Sequence, residues 1–170
     1  MDLRQQHVES FTVSGLRVRT TNAAEHKAET AKIGPMWGAF FGRSLAQDIP
    51  GKLAESPIYG VYSHYESDAS GAFDVTAGVA VVDPQNGFES IRIESGEYLV
   101  FEGQGALPEA VIATWGRIWK YFEANPQIQR RYATDFETYL GPESVAIYIG
   151  IRQERVSRDN SSRLRSTPQR

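Results

Sequence analysis

The stretch YATDFETYL, residues 132–140, places one carboxylate among aromatic side chains. Its alternation and its β-branched and aromatic residues predict a strand, in which Glu137 follows Phe136 and shares a face with Tyr139. Aromatic ring faces attract an organic cation by about 0.5–2 kcal/mol each, and a carboxylate adds the formal counter-charge. Burial would also raise the pKa of Glu137 while the site is empty. These residues suit a lipophilic cation, but a strand glutamate can equally face solvent, and the pattern leaves both positions open.

Other aromatic residues fall where they could line the same pocket. Tyr59 and Tyr62 lie on a second predicted strand, IYGVYS, whereas Trp37 and Trp115 lie on two predicted helices. Each also has a purely structural interpretation, because aromatic residues on a helical apolar stripe usually pack in the core. On an extended strand, Tyr59 and Tyr65 are expected to share one face, with Tyr62 on the other.

The composition disfavours several other kinds of site. The chain has no cysteine, which excludes disulfides, thiolate nucleophiles and cysteine-based zinc sites. Its three histidines are scattered without ligand spacing, so we expect no metal site. There is no GxSxG motif, no Walker loop and no dinucleotide fingerprint, so we expect neither a serine nucleophile nor a cofactor. A formal charge of -3 and a pI of about 5.7 disfavour direct nucleic-acid binding through a basic face.

The sequence predicts neither a signal peptide nor a membrane span. The N-terminal residues MDLRQQHVESF contain no apolar run, and no window approaches the roughly 18 apolar residues of a membrane span. We therefore expect a soluble cytoplasmic protein with a single domain over residues 1–152. The C-terminal RQERVSRDNSSRLRSTPQR holds six arginines in 19 residues, so residues 153–170 are expected to form a polar tail.

The elements that would position these residues occur as strand, helix, strand, strand, and then in the same order again. The first half, about residues 8–83, opens with the strand ESFTVSGLRVRT, whose apolar positions change parity at Ser14-Gly15 and predict a bulge. Its helix is expected over TNAAEHKAETAKIGPMWGAFFGRSLAQDI, with Thr21 or Asn22 as N-cap and a start or kink at Pro35.

The second half, about residues 88–152, contains an amphipathic helix over LPEAVIATWGRIWKYFEANP. MWGAFF in the first helix aligns with TWGRIW in the second, and IYGVYS aligns with DFETYL, which places Gly60 opposite Glu137. This repeat predicts two βαββ halves related by a pseudo-two-fold axis, with a groove along the axis.

Six segments in this order resemble the GyrI-like effector-binding domains. That family forms the ligand-sensing part of some AraC- and MerR-type transcription regulators and also occurs as stand-alone proteins. The six segments are PIYGVYSHYE, FDVTAGVAV, IESGEYLVFEGQG, IATWGRIWKYF, DFETYL and VAIYIGI. Because no helix-turn-helix domain precedes them, the chain is most similar to the stand-alone, integron-associated effector-binding proteins.

The resemblance implies an α+β fold: a duplicated βαββ unit with pseudo-two-fold symmetry, an antiparallel sheet, two main helices and a central ligand groove. It also implies that Glu137 points into that groove, where lipophilic cationic drugs and dyes bind. Carried over residue by residue, the expected ligand-binding residues are Glu137, Tyr139, Trp115, Trp37, Tyr59 and Tyr62. The sequence departs from the family pattern at Gly150, where proline is usual.

These features favour a stand-alone protein that captures lipophilic, cationic small molecules, and they leave open whether it is an enzyme. One alternative is a hydrolase of strained cyclopropane-type electrophiles, with Glu137 as general base and a tyrosine such as Tyr139 as acid. Another is a protein-interaction module of the gyrase-inhibitor type, for which the charge of -3 is mild. A transcription-regulator partner on another chain remains open.

Overall fold

The computed structural model describes residues 3–84 and 86–152 of the chain, and the predicted polar tail lies outside them. Within the described residues the chain forms eight strands and four helices. The strands are β1 (Leu3–Val8), β2 (Phe11–Thr20), β3 (Ile58–Ser63), β4 (Phe73–Val81), β5 (Glu89–Ile93), β6 (Gly96–Gln104), β7 (Thr134–Gly141) and β8 (Ser144–Gly150). The helices are α1 (Asn22–Glu25), α2 (Ile33–Gly42), α3 (Leu45–Asp48) and α4 (Glu109–Ala124).

The strands form one antiparallel sheet in the order β1-β6-β8-β7-β3-β4-β2-β5. The α+β class and the antiparallel sheet are therefore confirmed. At its centre β3 pairs with β7, and Gly60 lies directly opposite Glu137. The sequence pattern does not predict β1, because its residues LRQQHV are largely polar and exposed. β1 nevertheless forms because its backbone pairs with the edge of β6.

Both faces of the sheet bury side chains. On one face α2 packs against β2 and β4, and α4 packs against β6 and β8. The opposite face holds a separate core, here called the far-face cluster, formed by Val13, Val61, Ile93, Tyr98 and Phe136.

The far-face cluster is closed by curvature of the sheet. The rings of Phe11 in β2 and Phe136 in β7 have centroids 5.7 Å apart, although two strands lie between them. In a flat sheet these strands would be roughly 14 Å apart. The sheet therefore curls so that its two halves pack against each other on this face.

The predicted bulge at Ser14-Gly15 is wrong. β2 pairs with β4 from Thr12 to Thr20 without a shift in register. The apolar positions change parity because Val13 packs in the far-face cluster, whereas Leu16 packs under α2 on the opposite face. A strand covered on both faces can bury either set of alternate residues, so the change needs no extra residue.

The first predicted helix is divided into three short helices. Thr21, one of the two expected N-caps, caps α1 by accepting a backbone N–H of its first turn at 3.0 Å. A new helix, α2, begins at Ile33 and places Pro35 in its first turn, where the missing N–H removes no helical hydrogen bond. The carboxylate of Glu25 accepts the N–H groups of Lys32 and Ile33 at 2.8 and 3.3 Å and so caps α2.

The second predicted helix is confirmed as one continuous element, α4. Its buried residues Ala110, Thr114 and Ile118 recur every four positions and face the sheet. Gly103 in β6 permits this close approach, because an added Cβ would lie only 2.2 Å from the Thr114 hydroxyl oxygen. No helix among the described residues is long and apolar enough to cross a membrane.

Candidate functional site

Glu137 lies at the centre of the sheet, on the face covered by α2 and α4, and is 2% exposed. Its carboxylate accepts three hydrogen bonds: from the Tyr62 hydroxyl at 2.9 Å, the Trp115 indole N–H at 2.8 Å and the Tyr139 hydroxyl at 2.6 Å. All three donors are neutral. Among the described residues, no salt bridge includes Glu137. The site therefore holds a hydrogen-bonded carboxylate without a cationic partner.

The pairing of β3 with β7 explains why these donors meet. Tyr139 lies two residues after Glu137 and shares its strand face. Tyr62 lies two residues after Gly60, on the facing strand, and is therefore a diagonal neighbour of Glu137. Trp115 reaches the same point from α4, next to the sheet-facing Thr114.

Gly60 leaves the space that the carboxylate and a tryptophan occupy. A Cβ at this position would lie 2.8 Å from Oε1 of Glu137 and 3.0 Å from Cζ2 of Trp37. Both distances are shorter than ordinary van der Waals contact. The residue opposite Glu137 must therefore be glycine for the carboxylate and the Trp37 ring to keep their positions.

Burial raises the pKa of Glu137 above its ordinary value. The hydrogen bonds from Trp115, Tyr139 and Tyr62 oppose this shift because they stabilise the charged form. Burial also raises the pKa of Tyr62 and Tyr139, and the negative charge of Glu137 raises both further. Both phenols therefore keep their protons and act as donors to the carboxylate.

A cavity of about 1230 Å³ opens on Glu137. This volume exceeds the roughly 300–1,000 Å³ of common small-molecule pockets. The aromatic residues of its wall include Trp37, Tyr62, Tyr65, Phe73, Trp115 and Tyr139. The side chains of Phe41 and Trp119 also line it and are largely exposed, so they lie towards its mouth.

The rings around Glu137 hold one another in place. Trp37 and Tyr139 meet in an edge-to-face arrangement with centroids 5.4 Å apart, and Trp37 stacks on Phe41 at 5.6 Å. Tyr62 and Trp115 are in tilted contact at 5.0 Å. The wall next to the carboxylate is therefore aromatic on both the α2 side and the α4 side.

Five of the six residues expected at the site come together in this cavity: Glu137, Tyr139, Trp115, Trp37 and Tyr62. Tyr59 does not. It lies on the opposite face of the sheet, where its ring packs against Phe11 at 5.2 Å and Phe136 at 6.0 Å. Tyr59 and Tyr62 are three residues apart on one strand, so they must face opposite sides. The assignment of Tyr59 to the site is therefore corrected.

The expectation that Tyr65 shares a face with Tyr59 is also wrong. β3 ends at Ser63, and His64 adopts a left-handed backbone conformation with φ of 49°. This reversal turns Tyr65 into the cavity, where its hydroxyl donates to Asp135 at 2.5 Å. An alternation pattern holds only while the chain stays extended, so it could not predict this position.

Sequence reasoning missed a second polar cluster beside Glu137. Asp135 is fully buried and accepts hydrogen bonds from Arg130 at 2.8 Å, Tyr65 at 2.5 Å and the backbone N–H of Gly150 at 2.8 Å. One sequence feature could have indicated it. Asp135 shares the strand face of Glu137, and a buried aspartate requires a charged or hydrogen-bonding partner.

Substitution of Gly60 by alanine is expected to destabilise the protein by about 1–3 kcal/mol, because the new Cβ overpacks against Glu137 and Trp37. Urea denaturation monitored by tryptophan fluorescence measures this loss. Gly38→Ala in α2 is the matched control, because nothing lies within 4 Å of its added Cβ and alanine favours a helix by about 1 kcal/mol. Equal stability of the two variants would contradict the close packing described for Gly60.

Known proteins resemble this chain in sequence and in fold. The chain matches the family model described as Cass2, integron-associated effector binding protein, over residues 6–151. It is similar to an integron cassette protein from the mobile metagenome of Vibrio cholerae, with 37% identity and a TM-score of 0.76, covering 88% of this chain and 95% of that one. No curated protein sequence matches the chain.

Two more distant solved structures share the fold. One is SAV2435 bound to tetraphenylphosphonium, with 22% identity and a TM-score of 0.72 over 89% of this chain and 94% of that one. The other is a putative bacterial transcription regulation protein from Staphylococcus aureus, with 20% identity and a TM-score of 0.71 over 89% and 99%. The resemblance seen in the six sequence segments is confirmed, and the chain belongs to the Cass2 family of integron-associated effector-binding proteins.

Proposed function

We propose that this protein captures lipophilic organic cations in the aromatic cavity, with Glu137 as the counter-charge. The observation that carries the proposal is a buried carboxylate that has three neutral donors and no ionic partner among the described residues. Removing a charge from water is unfavourable unless an opposite charge compensates it. A cation that enters the cavity supplies that compensation.

The rest of the cavity supports the same class of ligand. Ring faces and edges from α2, α4, β3 and β7 line it, and such rings favour cations over neutral molecules of the same shape. Its volume of about 1230 Å³ suits a bulky ligand. The distant relative SAV2435 is bound to tetraphenylphosphonium, which is a cation of this kind.

We propose that the cavity is a central groove between two βαββ halves, about residues 8–83 and 88–152, of one domain spanning residues 1–152. The sheet order supports this, because exchanging β1 to β4 with β5 to β8 gives the same order read from the opposite edge. In this comparison each βαββ unit is preceded by one further strand, β1 or β5. The pair Gly60–Glu137 then lies on the pseudo-two-fold axis. Trp37 and Trp115 take corresponding places on α2 and α4, on either side of that pair.

The proposal is tested by titration of tetraphenylphosphonium into the protein, with quenching of tryptophan fluorescence as readout and calorimetry as confirmation. Triphenylphosphine oxide, a neutral phosphorus compound with three of the four phenyl rings, serves as the uncharged comparison. We expect the cation to bind at least tenfold more tightly than the oxide, about 1.4 kcal/mol. Equal affinities, or no binding of either compound, would reject the proposal.

Affinity for tetraphenylphosphonium is expected to fall as the pH is lowered, because protonation removes the charge of Glu137. The raised pKa of this buried carboxyl group places the decline above the range of an ordinary glutamate, about pH 4.3. Below the raised pKa, affinity should fall by about tenfold per pH unit. The ligand itself has a fixed charge, so titrations between about pH 4 and pH 8 report only on the protein.

The same pKa shift has an opposite effect on the empty protein. Protonated Glu137 is easier to bury than the carboxylate, so the contribution of this group to the stability of the empty protein is largest at low pH. Its free energy of unfolding should decline as pH rises from the unfolded-state pKa near 4.3 to the raised folded-state pKa. In Glu137→Gln the pH dependence of cation binding and the pH dependence of the unfolding free energy described above should both disappear. If either one persists, another group causes it.

The hydrolase alternative stays a prediction with its own test. It uses Glu137 as general base and Tyr139 as acid. It would be supported if the protein turns over a cyclopropane-type electrophile and Glu137→Gln abolishes this turnover. The interaction-module alternative would show as a stoichiometric protein partner whose binding is unaffected by changes in the cavity. A transcription-regulator partner would instead bind differently with and without the cation.

A further inference from the structure

Arg130 lines the same cavity as Glu137 but has unused hydrogen-bonding capacity. Its side chain is 7% exposed. Nη2 donates to Asp135, whereas Nε is buried without a hydrogen-bond partner and Nη1 donates to no described residue. A guanidinium withdrawn from water normally has its donors satisfied, and because Nε is enclosed, Nη1 is the donor left for a ligand acceptor.

The surroundings hold Arg130 in one position before any ligand arrives. Its guanidinium lies over the ring of Tyr132 at 4.4 Å and near that of Tyr65 at 5.9 Å. Tyr132 adopts a left-handed backbone conformation with φ of 54°, which is unfavourable for a bulky residue and is retained here beside the cavity. Fixed donors of this kind bind an acceptor without a further loss of conformational freedom.

Asp135 fixes the position of Arg130 by accepting its hydrogen bond. Its Oδ1 accepts the backbone N–H of Gly150 at 2.8 Å, a hydrogen bond that proline at this position would not form. Its Oδ2 accepts both Arg130 and Tyr65. The departure at Gly150 therefore supports Asp135, the partner of the cavity residue Arg130.

The distribution of charge defines the acceptor that suits Arg130. The charges of Arg130 and Asp135 already balance each other, and Glu137 requires one cation. A ligand carboxylate would place a third negative charge near Asp135 and Glu137, whereas a carbonyl oxygen would not. The two acidic residues are two positions apart on one strand face, a spacing of about 7 Å.

We infer that the cavity selects monocationic aromatic compounds that also carry a neutral carbonyl oxygen, which accepts a hydrogen bond from Arg130 while Glu137 holds the cationic centre. This inference rests on the proposed function, because Glu137 must hold the cationic centre. It adds a second, directional contact to a site that otherwise selects for charge and aromatic surface.

Two phosphonium compounds of matched shape test the inference on the unaltered protein. (4-Acetylphenyl)triphenylphosphonium carries a carbonyl group one phenylene ring away from phosphorus, and (4-isopropylphenyl)triphenylphosphonium replaces it with an isosteric alkyl group. We expect the acetyl compound to bind about tenfold more tightly, as for one hydrogen bond to a charged donor. The 4-carboxyphenyl compound should bind more weakly than the acetyl compound because of its added negative charge.

Arg130→Lys keeps the charge beside Asp135 but removes the planar fork of donors. In this variant the acetyl preference should fall to within about twofold while both compounds still bind. Because Arg130→Lys can destabilise the fold, the double variant Arg130→Gln/Asp135→Asn removes both charges together and should lose the same preference. Glu137→Gln should weaken the binding of both compounds and keep the preference for the acetyl compound.

The outcomes separate this inference from the proposed function. If both compounds bind with equal affinity to the unaltered protein, the inference is wrong and the proposed function stands. If the acetyl preference persists in both Arg130 variants, the acceptor contacts another residue and the assignment to Arg130 is wrong. If neither compound binds although tetraphenylphosphonium does, only the inference fails, and if tetraphenylphosphonium does not bind either, both proposals fail.

Discussion

Glu137→Gln is expected to weaken tetraphenylphosphonium binding at least tenfold, a loss of about 1.4 kcal/mol. Glutamine keeps the volume of the side chain and retains an oxygen that can accept from Trp115 and Tyr62. It removes only the formal negative charge, which no other described residue supplies at this point of the cavity. The measurement is calorimetric titration of both proteins at about pH 8, the upper end of the range used for the binding titrations, where the charged form of Glu137 is most favoured.

Two comparisons show that the loss reflects charge and not shape. Triphenylphosphine oxide should bind Glu137→Gln and the unaltered protein with similar affinity, because it carries no charge. Tyr139→Phe removes one hydrogen bond to Glu137 but keeps the carboxylate, so its loss of cation affinity should be smaller. A similar loss for the cation and the neutral oxide would mean that Glu137 supports the shape of the cavity and not its selectivity.

Arg130→Met is expected to lower the free energy of unfolding by about 3–5 kcal/mol, because it leaves the buried carboxylate of Asp135 without its ionic partner. The backbone N–H of Gly150 and the hydroxyl of Tyr65 still donate to that carboxylate, but neither carries a charge. Urea denaturation at neutral pH measures the loss. For a domain of this size, such a change is a large share of the total stability.

Arg4→Met is the matched control, because Arg4 pairs with Glu102 at an exposed position of the β1–β6 edge. Exposed ion pairs contribute about 0–1 kcal/mol, so this variant should be close to the unaltered protein. Adding Asp135→Asn to Arg130→Met should restore much of the stability, since an amide oxygen still accepts the Gly150 N–H and no unpaired charge remains. If Arg130→Met and Arg4→Met lose equal stability, the buried pair contributes no more than an exposed one.

Local patterns in the sequence are sufficient for much of this fold. α4 follows from the spacing of its apolar residues, and most strand segments follow from alternation and turn residues. The alignment of IYGVYS with DFETYL correctly predicts that Gly60 lies opposite Glu137, because β3 and β7 pair in an antiparallel register. β1 has no apolar pattern and forms only because a partner strand is available.

Local sequence patterns do not by themselves predict which side chains line the cavity. Alternation already separates Tyr59 from Tyr62, but only the packing of α2 and α4 decides which face carries the cavity. Tyr65 enters the cavity through the left-handed turn at His64, which alternation does not describe.

The second polar cluster depends on contacts across the whole chain. Asp135 meets Arg130 from the preceding loop, Tyr65 from the turn after β3, and the N–H of Gly150 from the end of β8. Periodicity fixes the direction of a side chain relative to its neighbours along one element. Which side chains meet, and which donors stay free for a ligand, depends on how the sheet and helices pack against one another.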